Sequence, residues 1–151
     1  MKKHELTDDT ITVGGRILHR IKALKSFSDV EEGDLGGYVE KEDNLNQSGN
    51  AWVYGNARVY GDARVSGNAQ VYGDAWVSGE NDYTTAKGFG REYRTTTFFR
   101  LKDGGIGVRC GCFYGTLDEF RKKVKETHKE SKLGKEYLML ADLMEYKFKN
   151  E

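Results

Sequence analysis

Small apolar residues recur with a period of six between Gly49 and Ser78. Five consecutive copies of Gly-(Asn/Asp)-Ala-x-Val-(Tyr/Ser) read GNAWVY, GNARVY, GDARVS, GNAQVY and GDAWVS. A period of six matches neither helical period, whereas it suits a short strand followed by a corner at the glycine. The alanine and valine of each copy are two residues apart, so an extended chain points both to the same side. We therefore expect a chain that bends every six residues, with its alanines and valines facing inward.

This pattern resembles the hexapeptide repeat of left-handed parallel β-helices, in which three hexads form one triangular coil. Two degraded copies, GYVEKE and DNLNQS, extend the pattern upstream to Gly37. Counting back in sixes places Val39 and Leu45 in the inward column of the alanines. A β-helix of so few coils buries little apolar surface by itself, so other parts of the chain must cover it.

Outward positions of the repeat carry large aromatic and cationic side chains. A coil of three hexads predicts that Arg58 lies below Trp76 and above Glu40, and that Tyr54 lies below Tyr72. Aromatic rings beside arginines on a surface indicate burial against a partner. The fourth places of the five copies hold Trp52, Arg58, Arg64, Gln70 and Trp76, and the sixth places hold Tyr54, Tyr60, Ser66, Tyr72 and Ser78.

The segments on either side of the repeats have their own patterns. Upstream, the residues Ile17, His19, Ile21 and Ala23 alternate in GGRILHRIKAL and predict a strand that caps the first coil, while the ten residues at the start are polar and are expected to fray. Downstream, the composition of GENDYTTAKGFG predicts a linker. The alternation in RTTTFFRL and IGVRCGCF around KDGG predicts a β-hairpin, and its second strand places Ile106, Val108, Cys110 and Cys112 on one face.

Two helices are predicted to end the chain. Thr116 and Glu119 form a capping box before the apolar stripe of Leu117, Phe120 and Val124, and a second helix is expected over 134–147. The sequence therefore predicts a mainly β protein in three parts. These are an N-terminal strand cap at 1–36, a short left-handed parallel β-helix at 37–82 and a C-terminal α+β unit of ββαα order at 83–151.

Composition and charge narrow the classes of partner. Basic and acidic residues balance at 24 each, so we expect neither nucleic acid nor membrane as a partner, although residues 36–82 carry net −4 and residues 83–151 net +5. MKKHELTDDT lacks the apolar core of a signal peptide, and two cysteines fit a reducing compartment. A cytoplasmic protein is expected.

Catalytic and metal-binding motifs are weak in this sequence. His19 has no nucleophile or acid at motif spacing, and Cys110 and Cys112 have no second Cys or Cys-His pair to complete a zinc site, so no catalytic residue, metal or cofactor is expected. The best-known enzymes with the hexapeptide repeat are acyltransferases that use CoA and place a histidine base at the trimer interface. This chain has no histidine between His19 and His128, which makes an acyltransferase the less favoured reading.

The chain also resembles a family of short hexapeptide-repeat proteins of bacteriophages and prophages. The resemblance rests on RIKAL and GDLGGYVE before the repeats, on GNARVYGDARVSGNA, and on KDG, CGCF and GTLDEF after them. Phages encode small oligomeric proteins that trap nucleotide immune signals between subunits, so a sponge for such a messenger is one hypothesis.

These considerations lead to a non-enzymatic homotrimer that binds a cyclic nucleotide or an ADP-ribose-type ligand. The alternative is an adaptor or inhibitor that contacts a host protein through its C-terminal unit. The candidate ligand-binding residues supply stacking and phosphate pairing; they are Trp52, Tyr54, Arg58, Arg64, Tyr72, Trp76, Arg94, Arg100 and Arg109.

Overall fold

The computed structural model describes residues 2–92 and 94–149 of the chain. Eleven strands, two α-helices and two short 3-10 helices form in the described part. The first seven strands are β1 (His4–Val13), β2 (Arg16–Ala23), β3 (Leu35–Val39), β4 (Trp52–Val53), β5 (Arg58–Val59), β6 (Gln70–Val71) and β7 (Trp76–Val77). They are followed by β8 (Tyr83–Phe89), β9 (Arg94–Arg100), β10 (Ile106–Cys110), β11 (Phe113–Thr116), α1 (Leu117–His128) and α2 (Lys132–Lys147). The prediction of a mainly β chain with two C-terminal helices is confirmed.

The repeats pair in parallel, as their period predicts. Strand β4 pairs with β6, and β3, β5 and β7 pair in sequence at one end of a five-stranded sheet of order β1-β2-β3-β5-β7. Within the regular copies the partners are three hexads apart, as in Trp52 with Gln70 and Arg58 with Trp76. Three successive hexads thus make one row of the repeat region, and equivalent residues of neighbouring rows lie beside one another. The left-handed sense of the winding stays a prediction.

Alanine and valine fill the inside of the repeat region, which confirms the inward assignment. Every third-place alanine and fifth-place valine from Ala51 to Val77 is at most 1% exposed. The corner glycines have φ values between 61° and 76°, a region that L side chains adopt only with strain. Small inward side chains keep the interior of the five regular copies narrow and closely packed.

The first row is offset by two residues from its predicted position. Tyr38 pairs with Arg58, and Leu45 bridges to Val65, so the spacing there exceeds three hexads by two residues. The prediction that Arg58 lies above Glu40 is therefore wrong. Val39 and Leu45 occupy the valine column, because eight residues rather than six separate Leu45 from Val53.

The N-terminal segment is ordered and covers one side of the repeats. The expectation that residues 1–10 fray is wrong for residues 4–10, because β1 pairs antiparallel with β2 from His4 onward, whereas Met1 lies outside the described residues. Lys3 is fully buried and donates from Nζ to the carbonyl of Ala51 at 2.7 Å. Backbone groups of Lys3 and His4 also bind the side chain of Gln47. These contacts fasten the start of the chain to the part of the repeat region that contains Gln47 and Ala51.

The C-terminal unit contains four strands rather than the two predicted. Its sheet has the order β11-β10-β9-β8, and β8 lies in the segment whose composition predicts a linker. The sequence YTTAKGF is polar because β8 is an edge strand, and its Tyr and Thr residues favour extended structure. Pairing with β9 satisfies backbone groups that a loop would leave to water.

Strand β9 separates two hydrophobic cores. Phe99 packs with the alanines and valines of the repeat region, whereas Phe98 packs with residues of α1 and α2. Both rings are fully buried. Alternation along a strand sends neighbours to opposite faces, so the sheet is sandwiched between the repeats on one side and the helices on the other.

The helices match the sequence pattern closely. Thr116 and Glu119 form the predicted capping box, and α2 begins at Lys132 with Ser131 as its N-cap. Cys110 lies against the helix core, but Cys112 is exposed in the turn after β10, so the prediction that both share one face is wrong for Cys112. Neither helix is long and apolar enough to cross a membrane, as judged over the described residues.

Candidate ligand-binding cleft

A polar cleft lies between the repeat region and the C-terminal sheet. Its volume is about 560 Å³, within the range of small-molecule sites. Polar residues of the repeat rows line one wall, and basic residues of the sheet line the other. The lining residues are Ser28, Asp29, Asn50, Asn68, Gln70, Lys87, Glu92, Arg94, Thr95, Arg109 and Gly111.

One wall of the cleft adjoins a column of stacked side chains. The rings of Tyr54 and Tyr72 are stacked at 4.1 Å between centroids with an interplanar angle of 12°. The guanidinium carbon of Arg109 lies 4.4 Å from the centroid of the Tyr72 ring. The predicted stacking of the two tyrosines is confirmed, and the arginine extends it by a cation–π contact.

Hydrogen bonds fix the end of this column. The hydroxyl of Tyr54 donates to Oδ1 of Asp29 at 2.6 Å. Burial, and next the bond to the Asp29 carboxylate, raise the pKa of Tyr54 far above its usual value. Burial likewise raises the pKa of Tyr72. Both phenols therefore stay neutral at physiological pH and act as stacking surfaces and donors.

Arg109 is held by the repeat region rather than by an acid. Its Nε donates to Oε1 of Gln70 at 3.1 Å, and the backbone N–H of Gln70 donates to Oγ1 of Thr97 at 2.9 Å. No carboxylate of the described residues forms an ion pair with Arg109. A guanidinium that is oriented by an aromatic face and an amide, and keeps its charge unpaired, is suited to an anionic ligand.

Arg94 joins the cleft from the neighbouring strand β9, although it is paired. Its guanidinium forms an ion pair with Glu92, and both side chains line the cleft. Lys87, on β8, is exposed at the same opening. Three cations and the two acids Asp29 and Glu92 thus face the cleft, and Asp29 is already bound by Tyr54.

The other predicted ligand residues lie elsewhere. Arg58 and Trp76 are partners on the outer face of the five-stranded sheet, with the guanidinium carbon 4.8 Å from the indole centroid, as the coil spacing predicts. Arg64 is exposed at a different corner, where its carbonyl accepts a hydrogen bond from Tyr83. Arg100 pairs with Asp82 at 2.9 Å and covers the end of α2. The sequence could not show that these residues are divided among separate surfaces.

Trp52 is buried, which corrects the prediction that it is open to a partner. Only 1% of its surface is exposed. Phe27 packs edge-on to the indole at 5.4 Å between centroids, and His4 does so at 6.5 Å. Trp52 points out from the repeat rows, yet the N-terminal segment covers it. Its role is therefore to fasten that segment to the repeats.

Several residues of the cleft were missed by sequence reasoning. Asn50 and Asn68 are second-place residues of the repeat, three hexads apart, and Gln70 interrupts the column of Trp and Arg at the fourth place. The repeat spacing could have found this polar strip. Lys87 could not have been found, because the composition of its segment predicts a linker.

Catalytic and metal-binding groups are scarce around this site. Within the described residues, no three His, Cys, Asp or Glu side chains are placed to hold a metal ion. His4 is buried, and Nδ1 of His19 lies 3.0 Å from the carbonyl oxygen of Thr7. His128 lines a different pocket, beside Tyr137. None of the three histidines borders the cleft.

Comparison with known proteins agrees with the repeat architecture. The family described as the YdcK beta solenoid repeat matches residues 51–67 and 57–73. A protein of Escherichia coli (strain K12) named as the uncharacterized acetyltransferase YdcK is 42% identical over 38 residues. That alignment covers 25% of this chain and 12% of the relative. The similarity is thus confined to a small part of each protein, and it shows that the chain contains a hexapeptide, β-solenoid repeat beside its C-terminal α+β unit.

Proposed function

We propose that the chain is a non-enzymatic protein that binds a small anion of the nucleotide type in the cleft between the repeats and the C-terminal sheet. The observation that carries the proposal is Arg109, whose guanidinium is stacked on Tyr72 at 4.4 Å, is bound by Gln70 and has no acidic partner among the described residues. Its remaining N–H groups suit a phosphate, for which arginine is the favoured protein partner.

The neighbours of Arg109 suit the rest of such a ligand. The amides of Asn50 and Asn68 offer donors and acceptors to a base or a ribose, and Lys87 adds a second cation at the opening. The volume of about 560 Å³ accommodates a nucleotide-sized molecule. Cyclic nucleotides and ADP-ribose derivatives are accordingly the first ligands to test.

The biological setting that we propose rests on the resemblance of the sequence to phage proteins. A binding protein without turnover removes a messenger from solution, which is the action of an anti-defence sponge in the cytoplasm of a bacterial host. The left-handed winding and a homotrimer belong to the same proposal. The half-exposed outer column of Tyr38, Arg58 and Trp76 supports assembly, because it offers a flat aromatic and cationic surface to another copy.

Isothermal titration calorimetry with cyclic mononucleotides, cyclic dinucleotides and ADP-ribose tests this function. We expect one class to bind, and Arg109→Ala to weaken it by about tenfold or more, as the loss of a charge-assisted hydrogen bond requires. Lys122→Ala is the matched control, because it removes one charge from the exposed side of α1. The absence of heat with every ligand, from a folded protein, contradicts the proposal.

An adaptor that binds a host protein is the second candidate. Met139, Leu143 and Tyr146 are 68%, 56% and 76% exposed and form an apolar stripe along α2. Substituting all three by Lys should abolish capture of a host protein without affecting nucleotide binding. Capture that survives this triple substitution contradicts the adaptor role of α2.

An acetyltransferase is the third candidate, and it is favoured by the name of the Escherichia coli relative. Release of free CoA from acetyl-CoA in the presence of a panel of amine acceptors measures it directly. We expect no turnover above the rate without protein.

A further inference from the structure

A second pocket lies inside the C-terminal unit, away from the repeats. It opens at the end of the four-stranded sheet, between the β8–β9 turn and the second half of α1, and has a volume of about 350 Å³. Its lining differs in character from that of the polar cleft, because the exposed lining is mostly apolar carbon. Arg94 and Glu92 border both sites.

Aromatic rings form the floor of this pocket. Phe120 lies 5.8 Å from Phe113 and 5.5 Å from Tyr137 between centroids, the latter in an edge-to-face arrangement. Phe89 approaches Tyr137 at 6.4 Å. Val124 of α1 completes the floor. An apolar body that enters here exchanges water for aromatic and aliphatic carbon, which is favourable in proportion to the area covered.

Basic side chains form the rim. Arg91, Lys123 and His128 line the opening together with Arg94. Glu92 is the one acid among the lining residues that the structure describes, and Arg94 forms an ion pair with it. Arg91 and Lys123 have no ion-pair partner in the described part of the chain. The rim therefore favours an anionic group next to an apolar floor.

The polar groups at the bottom of the pocket are neutral donors and acceptors. The hydroxyl of Tyr137 lies 3.6 Å from Sγ of Cys110, and Thr96, which does not itself line the pocket, donates to the same sulfur at 3.3 Å. Burial, and next the contact with Cys110, raise the pKa of Tyr137 well above its usual value, so its phenol carries no charge that would repel an anion.

We propose that this pocket binds a small amphipathic monocarboxylate, with its apolar body on the rings of Phe113, Phe120 and Tyr137 and its carboxylate at Arg91 and Lys123. Octanoate is a ligand of the right size and chemistry. The pocket adjoins the nucleotide cleft, with which it shares Glu92 and Arg94, but Arg91 and Lys123 do not line that cleft. The proposal does not depend on the function assigned to the cleft.

Cys110 is a built-in reporter of occupancy. A Cys112→Ser protein leaves Cys110 as the single thiol, and Cys112 itself is exposed and does not line the pocket. The rate of alkylation of Cys110 by iodoacetamide is measured by intact mass with sodium octanoate, octan-1-ol or octylamine. We expect octanoate to slow the reaction by about tenfold at saturation, octan-1-ol to do so at higher concentration, and octylamine to have the least effect.

Variants that remove charges from the rim show whether the preference for octanoate over octylamine comes from Arg91 and Lys123. Arg91→Gln with Lys123→Gln should raise the octanoate concentration needed for half-protection by about tenfold, since two ion-pairing groups are lost. Lys122→Gln with Lys125→Gln is the matched control, because it removes two charges from exposed positions of α1 that do not line the pocket. In the control variant, octanoate should protect Cys110 at the same concentration as in the parent protein.

Three results overturn the proposal. Octanoate fails to slow the alkylation of Cys110, octylamine slows it as much as octanoate does, or the two double variants weaken the protection by octanoate equally. If Cys110 does not react in the free protein, calorimetric titration with octanoate on the same variants gives the same comparison, and the absence of heat overturns it. Nucleotide titrations of the Arg91→Gln/Lys123→Gln protein separate the two sites, because neither residue lines the nucleotide cleft.

Discussion

The guanidinium of Arg58 lies 4.8 Å from the centroid of the Trp76 indole, and the two residues are direct partners on neighbouring parallel strands. The column continues upstream, because Tyr38 pairs with Arg58 and Arg20 lies over the Tyr38 ring at 4.4 Å. Cations and aromatic rings therefore alternate across four strands. This column joins the N-terminal hairpin to the last row of the repeats.

A double-mutant cycle on Arg58 and Trp76 measures what this contact contributes. Each Ala substitution should lower the free energy of unfolding by about 1–2 kcal/mol, and the coupling between them should be about 0.5–1 kcal/mol. Urea unfolding followed by circular dichroism gives the four values. Arg64→Ala, an exposed repeat arginine on another side, is the control and should cost little. A coupling free energy of zero shows that the stacked geometry contributes no stability.

A glycine is required at position 37 because the backbone there lies very close to Val53 and Ala57 of the repeat region. A Cβ at this position would lie 2.5 Å from the carbonyl oxygen of Ala57 and 2.7 Å from Cγ1 of Val53. Because one of these atoms belongs to the backbone, Gly37→Ala should lower the free energy of unfolding by about 1–3 kcal/mol. Gly79→Ala is the matched control, since a Cβ there meets nothing within 4 Å. Equal stability of the two variants contradicts the packing described for the first row.

His4 should make the fold sensitive to mild acid. Burial, and next the charge of Lys3, lower the pKa of His4 from 6.5 to about 4, and neither ring nitrogen has a hydrogen-bond partner among the described residues. The unfolded chain binds a proton below about pH 6.5 that the folded chain does not bind until about pH 4. The free energy of unfolding should therefore fall as the pH is lowered from about 6.5 to about 4. His4 alone should account for roughly 1–3 kcal/mol of this fall.

The variant His4→Leu tests this assignment. Its backbone keeps the bonds to Gln47, while the titrating ring is gone. Denaturant midpoints between pH 4 and 7 should change less in the variant than in the parent protein. His128→Gln should keep the full acid sensitivity of the parent. An unchanged pH profile in His4→Leu shows that other groups are responsible.

The repeat portion could be predicted in detail because each copy specifies its own geometry. The period places Ala and Val inward and Arg58 beside Trp76, and the structure confirms both. The first row was misplaced because two extra residues after Leu45 change the register, and a degraded repeat gives no signal of such an insertion. The burial of Trp52 depends on contacts with Phe27 and His4, distant in sequence, which a local pattern does not contain.

The cleft was only partly predictable for the same reason. Tyr54 and Tyr72 follow from the spacing, whereas the position of Arg109 over Tyr72 depends on how the C-terminal sheet packs on the repeats. Strand β8 was missed because edge strands are polar and resemble loops in sequence. Its absence from the prediction removed Lys87 from consideration.

The two cores should unfold in one cooperative step. Phe98 and Phe99 are neighbours on β9, and each is fully buried in a different core. Phe98→Ala and Phe99→Ala should each cost about 3–5 kcal/mol. Because both cores share β9, tryptophan fluorescence, which reports the repeats, and circular dichroism of the helices should give the same midpoint in each variant. Separate midpoints for the two probes contradict a shared core strand.

The two tryptophans should differ sharply in their exposure to solvent. Trp52 is 1% exposed beneath Phe27, whereas Trp76 lies half-buried under Arg58. A Trp76→Phe protein, which retains Trp52, should show blue-shifted emission and severalfold weaker quenching by acrylamide than a Trp52→Phe protein. Circular dichroism confirms that both variants are folded. Because Trp52 is covered by the N-terminal segment, addition of a nucleotide that binds the cleft should leave its emission unchanged. Strong acrylamide quenching in Trp76→Phe would mean that the N-terminal segment does not cover the repeats in solution, and Trp52 would then return as a candidate stacking residue.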